Sequence, residues 1–320
     1  MRNMIIRLYF TLSLLFVLPC AAADMPGIPP FIDEMVAKHG FKRDELVQVF
    51  KRAQFRQAVI DAITIPITPK PWPEYRAAFV NDKRISGGLQ FWQRHEKALQ
   101  LAEKQYGVPQ EIIVAVIGVE TVYGGNSGKF SALDALTTLA FSYPRRADFF
   151  RSELENYLLL ARDQEWELFK VRSSYAGALG IPQFMPSSYR NYAVDFDNDD
   201  QTDLLSDPMD AIGSVANYLR QYGWRSGEPV AVRAGVSEKT CVGSLSQARP
   251  IAAWLSAGVT LAAQVDGDTS ALLLDFTVTD GVEFWLAFNN FQVITLYNNS
   301  NFYAMSVYQL AQALRTAKRR

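Results

Sequence analysis

Histidine and cysteine are nearly absent from this chain: His39 and His95 are its only histidines, Cys20 and Cys241 its only cysteines. So few imidazoles leave little room for a Ser-His or Cys-His machine or a histidine-ligated metal site. A Cys241/His dyad stays open on paper, although Lys239-Thr240-Cys241-Val242-Gly243 reads as an ordinary loop. Neither sign of charge is in excess, with a net charge of -1, so nothing in the composition points to a nucleic-acid partner. Long apolar runs are missing too: Leu12 to Leu18 is too short to cross a bilayer. No repeat or low-complexity tract interrupts the chain. Chemistry, if present, runs on carboxylates.

The chain does have enough apolar material for a sizeable core, 49% hydrophobic residues and 12% aromatics over 320 positions. Residues 1–23 read as an export signal, with Arg2 and Arg7 before the short apolar stretch and small residues Ala21, Ala22 and Ala23 at a cleavage site. Cleavage there gives a soluble periplasmic protein without an internal disulfide. The alternative is lipid attachment at Cys20 and an outer-membrane lipoprotein, against which Pro19 stands where a small residue is expected.

Residues 24–105 form an N-terminal helical region. Apolar spacing from Phe31 to Ile63 predicts helices broken at Gly40. Pro66, Pro69, Pro71 and Pro73 then predict an extended connector, followed by one long helix from about Gly88 to Tyr106. Residues 106–226 are mostly helical and hold the motifs. Residues 227–290 change texture: Pro229 to Val232, Val259 to Val265, Ala271 to Val278 and Glu283 to Phe288 are β-branched or aromatic between Gly, Asp and Ser turns, as in a small antiparallel sheet. Residues 291–320 return to helical spacing. The fold class expected is α+β, mainly α.

One helix stands out. Gly107-Val108-Pro109-Gln110-Glu111 is a helix start, and Ile112 to Val119 is apolar or small on every face, which predicts burial on all sides. Glu120 follows, with Gly124-Gly125 expected to end the helix. Desolvation there would drive the Glu120 pKa upward, the condition for a general acid near neutral pH. The competing reading is a helix-end glutamate paired with an arginine or facing solvent. Gly124 to Lys129 is not a phosphate loop, because its glycines are misplaced, Phe130 takes the Ser/Thr position and no strand precedes it.

Two further segments carry signals. Ser173 to Tyr189 concentrates small residues, prolines, hydroxyls and the amide of Gln183, suited either to close approach of a ligand or to a tight helix crossing. Asp195, Asp197, Asp199 and Asp203 alternate as in a Ca²⁺-binding EF-hand loop. Asp200 stands where that loop needs glycine and Ser206 where it needs glutamate, with Asp207 or Asp210 available to close the shell. An acidic turn without metal is the rival.

Together, Gly118-Val119-Glu120-Thr121 with Tyr123-Gly124, Tyr143-Pro144-Arg145-Arg146, the Ser-Tyr-Ala-Gly-Ala to Gln-Phe-Met-Pro-Ser-Ser-Tyr run, the Asp loop, and Tyr297-Asn298-x-Ser300-x-x-Tyr303-Ala304 resemble the B-type lytic murein transglycosylases. The likeness spans nearly the whole mature chain in order. It implies a goose-lysozyme-like helical core, with an extra helical region and a β domain inserted before the last helix. It also implies cleavage of the bond between N-acetylmuramic acid and N-acetylglucosamine in peptidoglycan strands, with a 1,6-anhydro product. On this resemblance Glu120 is the acid/base, and Tyr75, Arg145, Arg146, Ser174, Gln183, Tyr218, Asn298 and Tyr303 bind substrate. The metal loop maps onto Asp195, Asp197, Asp199, the carbonyl of Gln201 and Asp210, with Ca²⁺ as a structural ion and no organic cofactor. A monomer is expected, with wall-synthesis or remodelling proteins as partners. Asp134 and Asp148 remain formal candidates for a second carboxylate, which a two-carboxylate glycosidase needs. A water-using muramidase and a non-catalytic wall-binding protein are the competing functions.

Overall fold

The computed structural model describes residues 25–65, 70–237 and 247–320, so the leader, Cys20, Pro66, Pro69 and Cys241 lie outside the described residues. The N-terminal part forms α1 (Ile28–His39), α2 (Arg43–Arg52) and α3 (Gln57–Thr64). Gly40 ends α1 in the left-handed conformation at φ 65°, donating its N–H to the Val36 carbonyl, as a glycine stop does.

The expected proline connector, of which residues 66–69 lie outside the described residues, turns helical at Trp72. α4 (Trp72–Phe79) begins directly after Pro71, with Pro73 in its first turn, where a missing N–H removes no helical hydrogen bond. The single long helix expected next is two, α5 (Asp82–Arg94) and α6 (Glu96–Tyr106), separated at His95. Asn81 caps α5 by accepting from the Arg84 N–H, a start signal that moves the helix ahead of Gly88.

α7 (Gln110–Thr121) lies at the centre, with Ile112 to Val119 all buried. Around it run β1 (Phe130–Ser131), α8 (Ala132–Ser142), a 3₁₀ turn at Pro144–Arg146, α9 (Ala147–Asp163), β2 (Arg172–Ser173), α10 (Pro186–Tyr192) and α11 (Pro208–Gln221). β1 pairs antiparallel with β2, giving a two-stranded ribbon.

The sheet follows as β3 (Ala231–Gly235), β4 (Arg249–Pro250), β5 (Thr260–Leu261), β6 (Ser270–Val278) and β7 (Gly281–Ala287), ordered β4-β6-β7-β3-β5 and antiparallel throughout. A short helix missed by the alternation, α12 (Ile251–Ser256), covers one face and buries Ile251 and Trp254. These join Leu273, Leu286 and Phe288 in a small core separate from the main one.

The chain then re-enters the helical body through α13 (Asn289–Tyr297) and α14 (Asn301–Lys318). The break within the expected single helix falls at Ser300, whose hydroxyl accepts from the Tyr303 N–H, an N-cap that starts a new helix. α14 packs against α7, α5, α4 and α13. Among the described residues, no helix is long and apolar enough to cross a membrane.

Candidate active site

Glu120 lies in the last turn of α7, half-buried, with an apolar helix behind it. The expected Gly124-Gly125 stop is not where the helix ends. Val122 and Tyr123, at φ 53° and 63°, make the left-handed turn before Gly124, a conformation costing a non-glycine residue about 1–2 kcal/mol. Side-chain anchors hold it there. The Tyr123 hydroxyl donates to the Arg84 carbonyl at 2.7 Å, while the Arg84 guanidinium donates to the Gly118 carbonyl at 3.0 Å. Tyr123 fits because Gly118 and Gly88 are bare: a Cβ at either would lie 2.5 or 2.4 Å from its hydroxyl.

Tyr303 of α14 donates its hydroxyl hydrogen to Glu120 Oε1 at 2.5 Å. Two opposed effects act on the carboxyl. Desolvation by the surrounding protein raises its pKa to about 7, and the Tyr303 hydrogen bond opposes part of that rise. Neither an arginine nor a carboxylate enters the balance, which removes the ion-paired reading of Glu120. The side chain nevertheless keeps part of its surface open, the route by which a ligand oxygen would reach it.

An aromatic wall continues from Tyr303. Its ring stacks on Tyr297 at 6.3 Å, Tyr297 meets Tyr218 at 4.9 Å, and Phe184 touches both Tyr218 and Tyr297. Tyr218 donates to the Leu296 carbonyl at 2.9 Å and Tyr297 to the Pro182 carbonyl at 2.5 Å. Tyr75 of α4 feels the Glu120 charge, which, after burial, raises its phenol pKa. Tyr297 belongs beside Glu120, yet the sequence reading passed over it while naming Asn298. Five residues separate Tyr297 from Tyr303, and the two rings meet across the chain break at Ser300.

Ser173 to Tyr189 begins as a folded loop and enters α10 at Pro186. Leu179 bridges to Ser173 and to Phe184. Ser174 Oγ accepts from the N–H groups of Ala176 and Ala178, and Gln183 Nε2 donates to the carbonyls of Ser127 and Gly180. Gly180 is required: at φ 67° a Cβ would sit 2.1 Å from the Leu204 carbonyl oxygen. Thr121 ties this loop to α7 by donating to the Ile181 carbonyl at 2.8 Å. Its partner is sixty positions away, so the chain alone gives no signal for it.

Arg145 and Arg146 occupy the exposed 3₁₀ turn, Arg146 lying over the Phe149 ring at 4.1 Å. Asn298 is exposed between α13 and α14. None of the described contacts joins these three to Glu120. Of the two formal second carboxylates, Asp134 is held by Arg56 at 2.6 Å and accepts from the Gln54 N–H, and Asp148 is exposed in the first turn of α9.

In the loop before α11, Asp195 and Asp197 bring carboxylate oxygens within 4.8 Å of one another and of Asp210. Asp199 is outside that group and accepts from the Gln201 N–H at 2.9 Å. The missing glycine is no obstacle to the turn, since Asp200 takes φ 68° and Asn198 φ 61°, conformations that Asp and Asn tolerate through their short polar side chains. Asp210, 1% exposed, accepts from the N–H groups of Phe196 and Asp203, both at 2.7 Å. Burial, partly offset by those two bonds, still raises its pKa, and neighbouring Asp207 and Asp197 add to the rise. Asp207 instead caps α11 by accepting from the Met209 N–H. Hard oxygen donors converging on a loop suit Ca²⁺.

The chain is similar to known proteins over nearly all its length. A family model described as "Transglycosylase SLT domain" matches residues 25–312. The membrane-bound lytic murein transglycosylase B of Escherichia coli K12 is 42% identical over 92% of this chain and 84% of its own. The crystal structure of the soluble lytic transglycosylase SltB1 from Pseudomonas aeruginosa is 44% identical, with a TM-score of 0.87 over 92% of this chain and all of that one. The Escherichia coli lytic transglycosylase Slt35, solved in complex with calcium, is 42% identical, with a TM-score of 0.87 over 93% of this chain and 95% of that one. With a lysozyme-like helical fold, a small antiparallel sheet and this extent of likeness, the chain belongs to the B-type lytic murein transglycosylases, enzymes that act on peptidoglycan.

Proposed function

We propose that this enzyme cleaves the β-1,4 bond between N-acetylmuramic acid and N-acetylglucosamine without water, with Glu120 as its single acid and base. The observation that carries the reading is the Glu120 carboxyl itself: raised to about 7 by desolvation, hydrogen-bonded only to Tyr303 among the described side chains, and part of a residue that is only half-buried. Such a group is protonated often enough near neutral pH to act as an acid, and basic enough afterwards to take the proton back.

In the first step Glu120 gives its proton to the bridging oxygen, and the bond from that oxygen to C1 of the muramic acid breaks. The sugar's own acetamido oxygen shields the positive C1. Glu120, now a carboxylate, removes the proton of the C6 hydroxyl as O6 bonds to C1, which releases the acetamido group. Atoms balance with no water consumed, and the product is a 1,6-anhydro sugar. Tyr303 orients the carboxyl and supports its ionised form by donating to it. Tyr75, Tyr218 and Tyr297 offer ring faces to the glycan, Ser174 and Gln183 shape the loop beside it, and Arg145, Arg146 and Asn298 serve more distant parts of the strand. The commitment of Asp134 to Arg56 supports a mechanism without a second carboxylate.

Asp195, Asp197, Asp199, Asp210 and the Gln201 carbonyl would hold Ca²⁺ as a brace. The leader-like start supports export to the periplasm, with lipid attachment at Cys20 as the alternative that the mass of the mature N-terminus resolves. The division into an N-terminal helical region, a catalytic core, an inserted β domain and a closing helical segment belongs to the same reading. Mass spectrometry of digested peptidoglycan tests the chemistry. Anhydro ends, lighter by one water than reducing ends, are expected; reducing ends alone would mark a hydrolytic muramidase and sink the proposal.

A further inference from the structure

Between the sheet and α14 lies a cleft of about 610 Å³, within the size range of small-ligand sites at the junctions of structural units. It is not part of the Glu120 groove. Tyr308, Gln309 and Gln312 line it, and on α14 the first and last of these lie about 140° and 180° around the helix from Tyr303. An aromatic wall of Trp72, Tyr75, Phe276 and Phe302 stands between the two: Trp72 lines the cleft, while Tyr75, stacked on it at 6.5 Å, feels the Glu120 charge.

The lining alternates ring faces with planar polar groups. Trp285 and Tyr308 meet edge to face at 6.2 Å, and Tyr308 is fixed by donating to the Ala231 carbonyl. Arg233 lies 6.0 Å over the Trp285 ring and donates to Glu283 at 3.2 Å; Arg76 donates to Gln309. Trp72 is only 1% exposed, and its indole N–H has no hydrogen-bond partner among the described residues, an arrangement buried polar groups rarely tolerate. A purely apolar ligand would strand these polar groups. A polyanion would meet Glu283. A sugar ring fits both demands, offering a C–H face to the aromatics and a rim of hydroxyls to Arg, Gln and Glu, with an acetamido carbonyl as an acceptor for an indole N–H.

We propose that this cleft is a second saccharide-binding site, which takes an N-acetylated hexosamine unit of a glycan strand apart from the strand being cut. The inference rests on the peptidoglycan-acting reading for its choice of sugar, but not on the Glu120 mechanism. Its role is to hold the enzyme on a multistranded wall while the groove turns over, raising the local concentration of cleavable bonds.

Calorimetric titration of full-length E120Q with tri-N-acetylchitotriose tests it in the absence of cleavage. Two sites are expected, with Trp285→Ala weakening one of them about tenfold and leaving the other unchanged. Arg76→Ala, at an exposed position of the cleft mouth, should weaken the same site and covers the case in which the tryptophan variant does not fold. A single site in E120Q, or two sites indifferent to both substitutions, overturns the proposal. So does displacement of the second chitotriose by a free stem peptide, which would assign the cleft to peptide. Failure of the Glu120 mechanism would appear in the product analysis and would leave the site count unchanged.

Discussion

Two groups of carboxylates in this molecule are treated in opposite ways. Glu120 is kept without any charged partner, at the end of a helix buried on all faces, and its one hydrogen bond comes from a phenol. Asp195, Asp197 and Asp210 are crowded together and served by backbone: Asp195 accepts from the N–H groups of Asn198, Asp199 and Asp200, and Asp210 from two more. Isolation leaves a carboxyl that can keep a proton. Crowding raises the pKa of Asp197 and of Asp210 despite the backbone donors, and gathers oxygens whose mutual repulsion a cation would relieve. One residue joins the two regions: the Ile181 N–H donates to the Leu204 carbonyl beside the Asp loop, and the Ile181 carbonyl accepts from Thr121 beside Glu120. Order in the acidic loop is thereby tied to the position of α7.

The sharpest break in this comparison is Glu120→Gln. Wall lysis should fall by about 10²- to 10⁴-fold, while pelleting with purified sacculi should be retained. Lysis at the wild-type rate would take Glu120 out of the chemistry.

The next effect concerns the crowded group. Melting temperature should rise with added Ca²⁺ and fall with chelator, corresponding to about 2.7 kcal/mol at a hundredfold excess over Kd. Asp210→Ala should abolish the response; no Ca²⁺ response in the unaltered enzyme would make the loop an acidic turn.

A pH series separates the two kinds of carboxyl further. Between about 4.5 and about 7 the folded chain holds a proton on Glu120 that the unfolded chain has released, so this group subtracts stability as pH rises through that window. Denaturant melts should therefore find Glu120→Gln more stable than the parent by about 2 kcal/mol at pH 8, a value reduced for the open side of the groove, and equal to it near pH 4. Equal stabilities at both pH values would mean that the carboxyl is not desolvated.

The smallest change is Tyr303→Phe. Its rate loss should be about three- to tenfold, the net contribution of one hydrogen bond to a charged or polar group. Because that bond opposes the raised pKa, the alkaline limb of the pH–rate profile should move upward. A limb moving downward would contradict the assigned direction of the bond.

How much of this could be read from the chain depends on how local the cause is. Ile112 to Val119 announced a fully buried helix because its apolar residues leave no polar face, and every one of them is buried. β6 and β7 fall close to the alternating segments Ala271 to Val278 and Glu283 to Phe288. The errors arose where a residue has two uses. Pro71 and Pro73 read as helix breakers but sit where α4 begins, and Ser300 reads as an ordinary residue in a helical run until its cap is seen. α12 was lost because it is short and lies among strands. In the site, the desolvation that raises the Glu120 pKa was legible in the apolar run before it. The bonds that place it, Tyr303 to Glu120, Thr121 to Ile181 and Tyr123 to Arg84, join residues far apart in sequence and have no local pattern.

The return of the chain through α14 has a consequence for the timing of activity. The hydroxyl that contacts Glu120 and much of the surface that covers α7 come from this final helix. The two partners of that contact lie 183 positions apart, so it closes a long loop, and pairings of that kind form late in folding. A chain that has not yet brought α14 home carries Glu120 without the hydroxyl beside it, and on the proposed mechanism it must wait for that hydroxyl before it can cut.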